Sequence, residues 1–290
     1  MYPHVQATER SLVLPMITCT QIERPDAIRS MRDDYLRTLA APMDGMWEGA
    51  VIAHATFWEI QDRGRHAGHF CVGLENDLLR FHLTEDDQAR AGATFRWIVA
   101  TYGIHRAIAS TIEPLFFSLC LDLQVGVAPH SDLFRDGKRV ERSPALGDGV
   151  VRKVGASELD DLARFYRANT GGSGGWIEAF LRERLAHEEL FGLYDRQTLI
   201  ATGECIPSRE QPPYADLGMV VARSHRGRGL GSAMLIHMKE HCYEAGWEPI
   251  CSCAADNGAS KKAIERAGFV GEGRRVTISF SRDRRTKIPR

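Results

Sequence analysis

The sequence lacks a hydrophobic run long enough to cross a membrane. No apolar stretch approaches the roughly 18 residues that a membrane-spanning helix needs. The first residues, which include Pro3, Glu9 and Arg10, lack the basic start and apolar centre of a signal peptide. We therefore predict a cytoplasmic protein that has no membrane partner.

The sequence also lacks an excess of charge of either sign. It has 37 Lys and Arg against 38 Asp and Glu, a formal net charge of −1, which gives no general electrostatic attraction to nucleic acid or to anionic membranes. A composition of 43% hydrophobic and 26% charged residues argues against disordered, collagen-like and coiled-coil proteins. The expected partner is a small molecule or another protein, and we predict no binding of nucleic acid.

The cysteines do not form the pattern of a disulfide framework or of a zinc site. The seven cysteines are odd in number, are scattered along the sequence and lie mostly in apolar surroundings. This pattern is typical of reduced, buried thiols. Cys251 and Cys253 form the one close pair, and no second Cys or His pair lies at ligand spacing. His237 and His241 have no evident third ligand, so we predict no metal.

A change of composition divides the 290 residues into two parts. At about 100 to 200 residues per domain this length favours two domains. Charged residues and turn formers interrupt the periodic segments between residues 135 and 149. We predict an N-terminal domain over 1–140, a linker over 141–150 and a second domain over 151–290.

The second part contains both strand and helix patterns and is predicted to be an α/β (α+β) domain. Apolar periodicity predicts a helix that begins after Ser157 as its N-cap, and turn residues separate the strands. The predicted order is a strand at 150–154, helices at 157–166 and 176–187, and strands at 190–194, 198–206 and 215–221.

A glycine-rich loop, Gly227-Arg-Gly-Leu-Gly231, lies between the strand that ends at Val221 and a helix pattern over 232–245. Glycines let successive N–H groups face an anion, and the helix N-terminus adds the positive end of its dipole. The spacing matches neither GxGxxG nor the P-loop, which weakens dinucleotide and nucleoside triphosphate interpretations. We predict that this loop holds a pyrophosphate.

Two segments together resemble the GNAT superfamily of acyl-CoA-dependent N-acyltransferases. They are Arg226-Gly-Arg-Gly-Leu-Gly231 and Asn257-Gly-Ala-Ser-Lys-Lys-Ala-Ile-Glu-Arg-Ala-Gly-Phe269, in the family's order. The resemblance covers the chain from Val151 onward. It implies a mixed, mostly antiparallel sheet flanked by helices, with acetyl-CoA as donor and CoA as product.

The resemblance assigns the cofactor contacts. Backbone groups at the end of the strand would meet the pantetheine arm, loop amides would hold the pyrophosphate, and the second motif would contact the cofactor through its first residues. A helix cap remains an alternative role for Asn257. The assigned residues are Met219, Val220, Val221, Arg226, Gly227, Arg228, Gly229, Leu230, Gly231, Ser232, Asn257 and Ser260.

The chemistry of the acceptor predicts which groups would be catalytic. An amine with a pKa near about 10 must lose a proton before it attacks a thioester, so a carboxylate or histidine is expected nearby. Asp216 is our first candidate and Glu204 our second. Ile264 occupies the position where the family often has a tyrosine that protonates the thiolate, and Tyr243 or Cys253 would be substitutes.

The first part of the chain repeats the pattern of the second. Placing Phe81 on Met219 aligns a strand at 78–83, a helix at 94–102 and a strand at 107–111 with their later counterparts. Ala91 and Ala93 then replace loop glycines, and acidic residues precede them. We predict a tandem, degenerate GNAT-like half that binds no CoA and serves to brace the catalytic half, wall the acceptor site or form a homodimer.

These observations predict an N-acetyltransferase that transfers an acetyl group from acetyl-CoA to a primary amine of a small molecule. The predicted mechanism is direct attack in a ternary complex, with an acyl-enzyme on Cys253 as the minor alternative. Other functions stay open, namely a CoA-binding sensor or scaffold without turnover, and a protein N-terminal or lysine acetyltransferase. The glycine run at 171–175 is interpreted as a flexible connection or lid, and the basic C-terminal stretch as a solvated tail.

Overall fold

A single mixed sheet runs through both halves of the chain. The structure is a computed structural model that describes residues 17–23, 25–141, 146, 148–171 and 175–280. The centre of the glycine run, half of the predicted linker and the basic tail beyond residue 280 lie outside the described residues. In sheet order the strands are β1-β2-β3-β4-β5-β12-β6-β11-β10-β9-β8-β7.

The described strands and helices form the mixed α/β architecture with a mostly antiparallel sheet that the sequence predicts. The strands are β1 (Ile17–Gln21), β2 (Thr56–Asp62), β3 (Arg65–Val72), β4 (Asp77–Leu83), β5 (Arg106–Ser110), β6 (Gly126–Asp136), β7 (Val150–Lys153), β8 (Leu190–Asp195), β9 (Thr198–Pro207), β10 (Tyr214–Val221), β11 (Glu248–Ala254) and β12 (Phe269–Ser279). The helices are α1 (Pro25–Leu36), α2 (Gly45–Ala50), α3 (Ala91–Thr101), α4 (Pro114–Asp122), α5 (Leu159–Thr170), α6 (Trp176–Ala186), α7 (Leu230–Glu244) and α8 (Gly258–Arg266).

The predicted order of elements in the second half is confirmed, and one local prediction is wrong. Ser157 is not the N-cap of α5, because a 3₁₀ turn at Ala156–Glu158 precedes that helix. The N–H of Gly155 donates to Glu158 Oε2 over 2.9 Å, and Arg152 donates to the same carboxylate. The acidic side chain closes this turn in place of a serine hydroxyl.

Each half contributes its last strand to the other half. β12, from the end of the second half, pairs with β5 and β6, while β6 pairs with β11 of the second half. Ile278 of β12 is buried in the core of the first half, and Phe134 of β6 is buried in the core of the second. The two halves are therefore joined by exchanged strands as well as by the chain, and the boundaries at 140 and 151 stay a prediction.

Both halves contain a pair of parallel strands that separate after a short contact. β10 and β11 pair from Tyr214 to Asp216 and then diverge, and β4 and β5 pair only at Asp77 and Leu78. In the first half aromatic rings fill the space beside the divergence. Phe95 of α3 lies 5.2 Å from Phe81 and 6.2 Å from Phe116 of α4, between ring centroids. In the second half the glycine loop and a cavity occupy the corresponding region.

Glu113, at the N-terminus of α4, makes the stability of the first half depend on pH. Its buried carboxyl group accepts hydrogen bonds from Tyr35 Oη at 2.5 Å and from the Ser110 N–H at 3.0 Å. Burial raises its pKa from 4.5 to about 7. Because the pKa is raised on folding, protonated Glu113 stabilises the fold below pH 4.5, and this contribution is lost as the pH rises through about 7.

Replacing Glu113 with glutamine is therefore expected to flatten the pH profile of stability. Between pH 4 and 8 the free energy of unfolding of the wild type should fall by about 3 kcal/mol relative to Glu113→Gln. Urea unfolding at a series of pH values measures this difference. Glu85→Gln, at an exposed residue, is the control. Parallel profiles for wild type and Glu113→Gln would contradict the prediction.

Candidate active site

A cavity of about 530 Å³ lies where β10 and β11 diverge, beside the N-terminus of α7. Eleven of the twelve residues that the sequence assigns to the cofactor line it. Arg228 is the exception, because its guanidinium turns away and donates to the Ser224 carbonyl at 3.2 Å. The assigned residues that line the cavity are Met219, Val220, Val221, Arg226, Gly227, Gly229, Leu230, Gly231, Ser232, Asn257 and Ser260.

The loop conformation depends on glycine at two positions. Gly227 and Gly229 have φ values of 77° and 82°, in the left-handed region that other residues rarely adopt. Arg226 supports the loop, since its Nη2 donates to the Asn169 carbonyl at 2.5 Å and its Nε to the Val221 carbonyl at 3.2 Å. The side chain of Arg226 thus ties the loop to the ends of α5 and β10.

The charge of the cavity suits an anion. Sequence reasoning missed Lys262 and Arg266, two basic residues of α8 that line the cavity with Arg226 and His225. None of the described lining residues is acidic. Their spacing on α8 would have been the signal, because Ala259, Lys262 and Arg266 share one face of that helix. Asn257 both lines the cavity and caps α8, accepting the Ser260 N–H at 3.1 Å.

The edge of β10 is free over the part that borders this cavity. Pairing with β11 stops at Asp216, so the backbone from Leu217 to Val221 has no strand partner on that side. An extended chain can pair with such an edge in the way that a peptide adds to a sheet. Gly218 lies at the start of this free segment.

Glu204 lies on β9 directly opposite Gly218. Its carboxyl group is buried, and Tyr166 Oη donates to Oε1 at 2.5 Å. A Cβ atom added to Gly218 would lie only 2.6 Å from Glu204 Oε2, so the carboxyl group covers the glycine. Burial raises the pKa of Glu204. The sequence gave no separate signal for Tyr166, which looked like part of the apolar face of α5.

Asp216 lies on β10, two residues before Gly218 and on the same face. It is 8% exposed, and its Oδ2 accepts the Met46 N–H of α2 at 3.3 Å. Burial, and then the negative charge of Asp44, raise its pKa well above the ordinary value. The sequence places Asp216 and Glu204 at one cleft. In the structure neither lines the cofactor cavity, and Asp216 instead lines a second cavity between the two halves.

Neither Tyr243 nor Cys253 is well suited to the alternative catalytic roles that the sequence offered. Ile264 is buried in the core of the second half, and Tyr243 Oη donates to Asp136 Oδ2 at 2.6 Å. Burial raises the pKa of Cys253 to about 11, so its thiol stays protonated near neutral pH and is a weak nucleophile.

The first half lacks the electrostatic features of the cofactor cavity. Asp87, in the segment that corresponds to the glycine loop, accepts hydrogen bonds from Arg65 at 2.9 Å, from Thr84 at 2.8 Å and from Arg90 at 2.5 Å. These hydrogen bonds lower its pKa against the opposing effect of burial. An acidic turn with internal hydrogen bonds therefore directly precedes the alanines that replace the glycines of the second half.

Within the described ranges no group of three or more His, Cys, Asp or Glu is arranged to hold a metal ion. Among the same residues no helix is long and apolar enough to span a bilayer.

Comparison with protein families gives a match in each half. The family model described as "Acetyltransferase (GNAT) domain" matches residues 24–137, and the one described as "Acetyltransferase (GNAT) family" matches residues 158–269. Comparison with curated protein sequences gives no significant match. The repeat inferred from the alignment of Phe81 with Met219 is therefore confirmed.

Several solved structures resemble this chain over about nine tenths of its length. An acetyltransferase of the GNAT family from Colwellia psychrerythraea is 27% identical, with a TM-score of 0.84 over 91% of this chain and 100% of that one. A GCN5-related N-acetyltransferase from Sphaerobacter thermophilus has a TM-score of 0.60 at 14% identity, covering 90% of this chain and 94% of that one. A tandem GNAT protein from the clavulanic acid biosynthesis pathway also has a TM-score of 0.60 at 14% identity, covering 92% and 99%. The chain belongs to the GNAT acetyltransferase superfamily and carries two GNAT domains in tandem.

Proposed function

We propose that the protein transfers an acetyl group from acetyl-CoA to a primary amine of a small molecule, in the second GNAT domain. One observation carries the proposal, namely that a basic, glycine-bordered cavity meets the unpaired edge of β10 at a helix N-terminus. A diphosphate suits the N–H groups of the loop, and an extended pantetheine suits the strand edge. The likeness to the Colwellia acetyltransferase supports this function.

The geometry supports direct transfer in a ternary complex. A thioester that followed β10 from the loop would lie near Gly218, where strand N–H groups near Val220 would stabilise the oxyanion. Glu204 covers Gly218, and Asp216 lies beside it, so these carboxyl groups are our candidates for removing the proton of the amine. The departing thiol has an ordinary pKa near about 8.5, which makes a dedicated acid dispensable.

The direct test is to mix the purified protein with acetyl-CoA and a panel of amines and to follow the release of the CoA thiol. We expect turnover with one class of small primary amine and an acetylated product of the corresponding mass. Binding of acetyl-CoA without turnover on any amine would instead support a CoA-binding sensor. Turnover on peptides alone would support a protein acetyltransferase.

Reversing a charge in the cofactor cavity is expected to weaken CoA binding without unfolding the protein. Lys262 is exposed and lines the cavity, so Lys262→Glu would place a negative charge near the phosphates. We expect the Kd for CoA to rise by about tenfold at low salt, and less at high salt because ions screen exposed charges.

Isothermal titration calorimetry with CoA measures this change. Arg96→Glu makes the same reversal on the exposed face of α3 in the first half, away from the cavity, and is the matched control. An equal Kd for both variants would show that CoA does not bind beside α8.

A further inference from the structure

We propose that the acceptor amine binds in the cavity between the two halves, and that Glu48 of the first half belongs to its binding site. This proposal rests on the proposed acetyltransferase function and adds the location and the size class of the acceptor. The cavity has a volume of about 190 Å³. Its walls come from both halves and include Leu36, Met43, Gly45, Glu48, Asp216 and Ile250.

The cavity reaches β10 next to the expected thioester position. Asp216 and Ile250 form the last pair before β10 and β11 diverge, and both line this cavity. Gly218 follows Asp216 by two residues, or about 7 Å along a strand, and Val220 lines the cofactor cavity on the same face. An amine beside Asp216 and a thioester beside Gly218 are therefore within reach of each other.

Carboxyl groups from both halves face this cavity. Asp216 comes from the second half and Glu48 from α2 of the first, and the carboxyl oxygens of both can accept hydrogen bonds from an ammonium group placed between them. α2 also brings the N–H of Met46 to Asp216. The acceptor site is thus incomplete without the degenerate half.

Arg80 is a positioning residue for Glu48. Its guanidinium is fully buried and lies 4.0 Å from the centre of the Tyr35 ring, where it cannot touch an acceptor. Arg80 Nη2 donates to Glu48 Oε1 at 2.5 Å. The core of the first half therefore holds the Glu48 carboxylate at the cavity wall.

The volume limits the acceptor. Cavities for drug-sized ligands measure about 300 to 1,000 Å³, so 190 Å³ admits a smaller molecule. A compact primary amine fits this limit. An amino acid and a short diamine both carry such an ammonium group. In the reaction the ammonium group gives one proton to a carboxylate, its nitrogen bonds to the acetyl carbon, the carbon–sulfur bond breaks, and the second nitrogen proton goes to the departing thiolate. The products are the N-acetylated amine and CoA.

Two glycines of α2 provide a matched pair of variants. A Cβ atom added at Gly45 would lie 3.8 Å from Asp216 Oδ2, in the cavity, whereas one added at Gly49 meets no atom within 4 Å. Neither glycine has a positive φ, so leucine causes no backbone strain at either position. Gly45→Leu is expected to block the acceptor, and Gly49→Leu to leave it unaffected.

The experiment titrates the CoA-saturated protein with amino acids, short diamines, a bulky aminoglycoside and a short peptide in a calorimeter. We expect a compact amine to bind the wild type, and its Kd to rise at least about tenfold in Gly45→Leu with an unchanged Kd for CoA. Glu48→Gln, which keeps an oxygen for Arg80, is expected to weaken the amine about tenfold, with Glu85→Gln as control.

Three results would overturn the proposal, namely unchanged binding in Gly45→Leu, binding of only the bulky amine or the peptide, and binding of no amine. The compact amine with the lowest Kd shows whether the acceptor is an amino acid or a diamine. Failure of the proposed function looks different. In that case amines bind the wild type and lose affinity in Gly45→Leu, but acetyl-CoA releases no thiol with any of them.

Discussion

Replacing Glu204 with glutamine is expected to lower kcat for acetyl transfer by about 10²- to 10⁴-fold and to leave the affinity for acetyl-CoA unchanged. The carboxyl group covers Gly218, where the thioester would lie, and the amide that replaces it cannot accept a proton. Because burial raises the pKa of Glu204, the wild type should lose activity toward acid at a higher pH than an exposed glutamate would dictate.

Steady-state kinetics from pH 5 to 9, with calorimetry of acetyl-CoA binding, measures both effects. Glu188→Gln, at an exposed ion pair with Lys153, is the matched control. Gly218→Ala gives an independent check, since its Cβ atom would displace the carboxyl group while Glu204 is retained. Wild-type kcat in Glu204→Gln would exclude Glu204 as the proton acceptor and leave Asp216 as the candidate.

Shortening Ile278 to alanine is expected to reduce the free energy of unfolding by about 2 to 5 kcal/mol. Ile278 belongs to the last strand of the second half, but its side chain is fully buried in the core of the first half. The variant therefore removes packing from the core of the first half, although the residue belongs to the second. The loss should affect the whole molecule, because β12 lies between β5 and β6 in one continuous sheet.

Urea unfolding followed by circular dichroism measures this loss. Val270→Ala is the matched control, since Val270 lies on the same strand and is 45% exposed. We expect the control to lose no more than about 1 kcal/mol. If Ile278→Ala lost no more free energy of unfolding than the control, the packing of β12 in the first half would be contradicted.

Features that depend on neighbouring residues were predictable from the sequence. The glycine loop, the strand before it and the helix after it are contiguous, so the cavity residues from Met219 to Ser232 could be named before the fold was known. The tandem repeat was also detectable, because the first half keeps the same order of strand and helix patterns although it has Ala91 and Ala93 in place of glycines. The prediction failed locally at Ser157, where an ion-paired glutamate closes the turn instead.

Features that depend on residues distant in the sequence were not predictable. No local pattern indicates that Tyr166 contacts Glu204, that Glu48 and Asp216 share a cavity, or that Arg228 turns away from the cofactor cavity. The exchange of β6 and β12 is equally invisible, since either strand could satisfy its hydrogen bonds and its apolar face within its own half.

The sequence by itself determined the superfamily, the tandem arrangement and the glycine-rich loop before a helix N-terminus. The reason is that backbone conformation at glycines and the orientation of a helix N-terminus are properties of a short segment. Only the tertiary structure decided which carboxyl groups approach Gly218 and how the first half contributes to the second cavity. Those positions follow from sheet register and from packing between segments more than 100 residues apart, as between Met46 and Asp216.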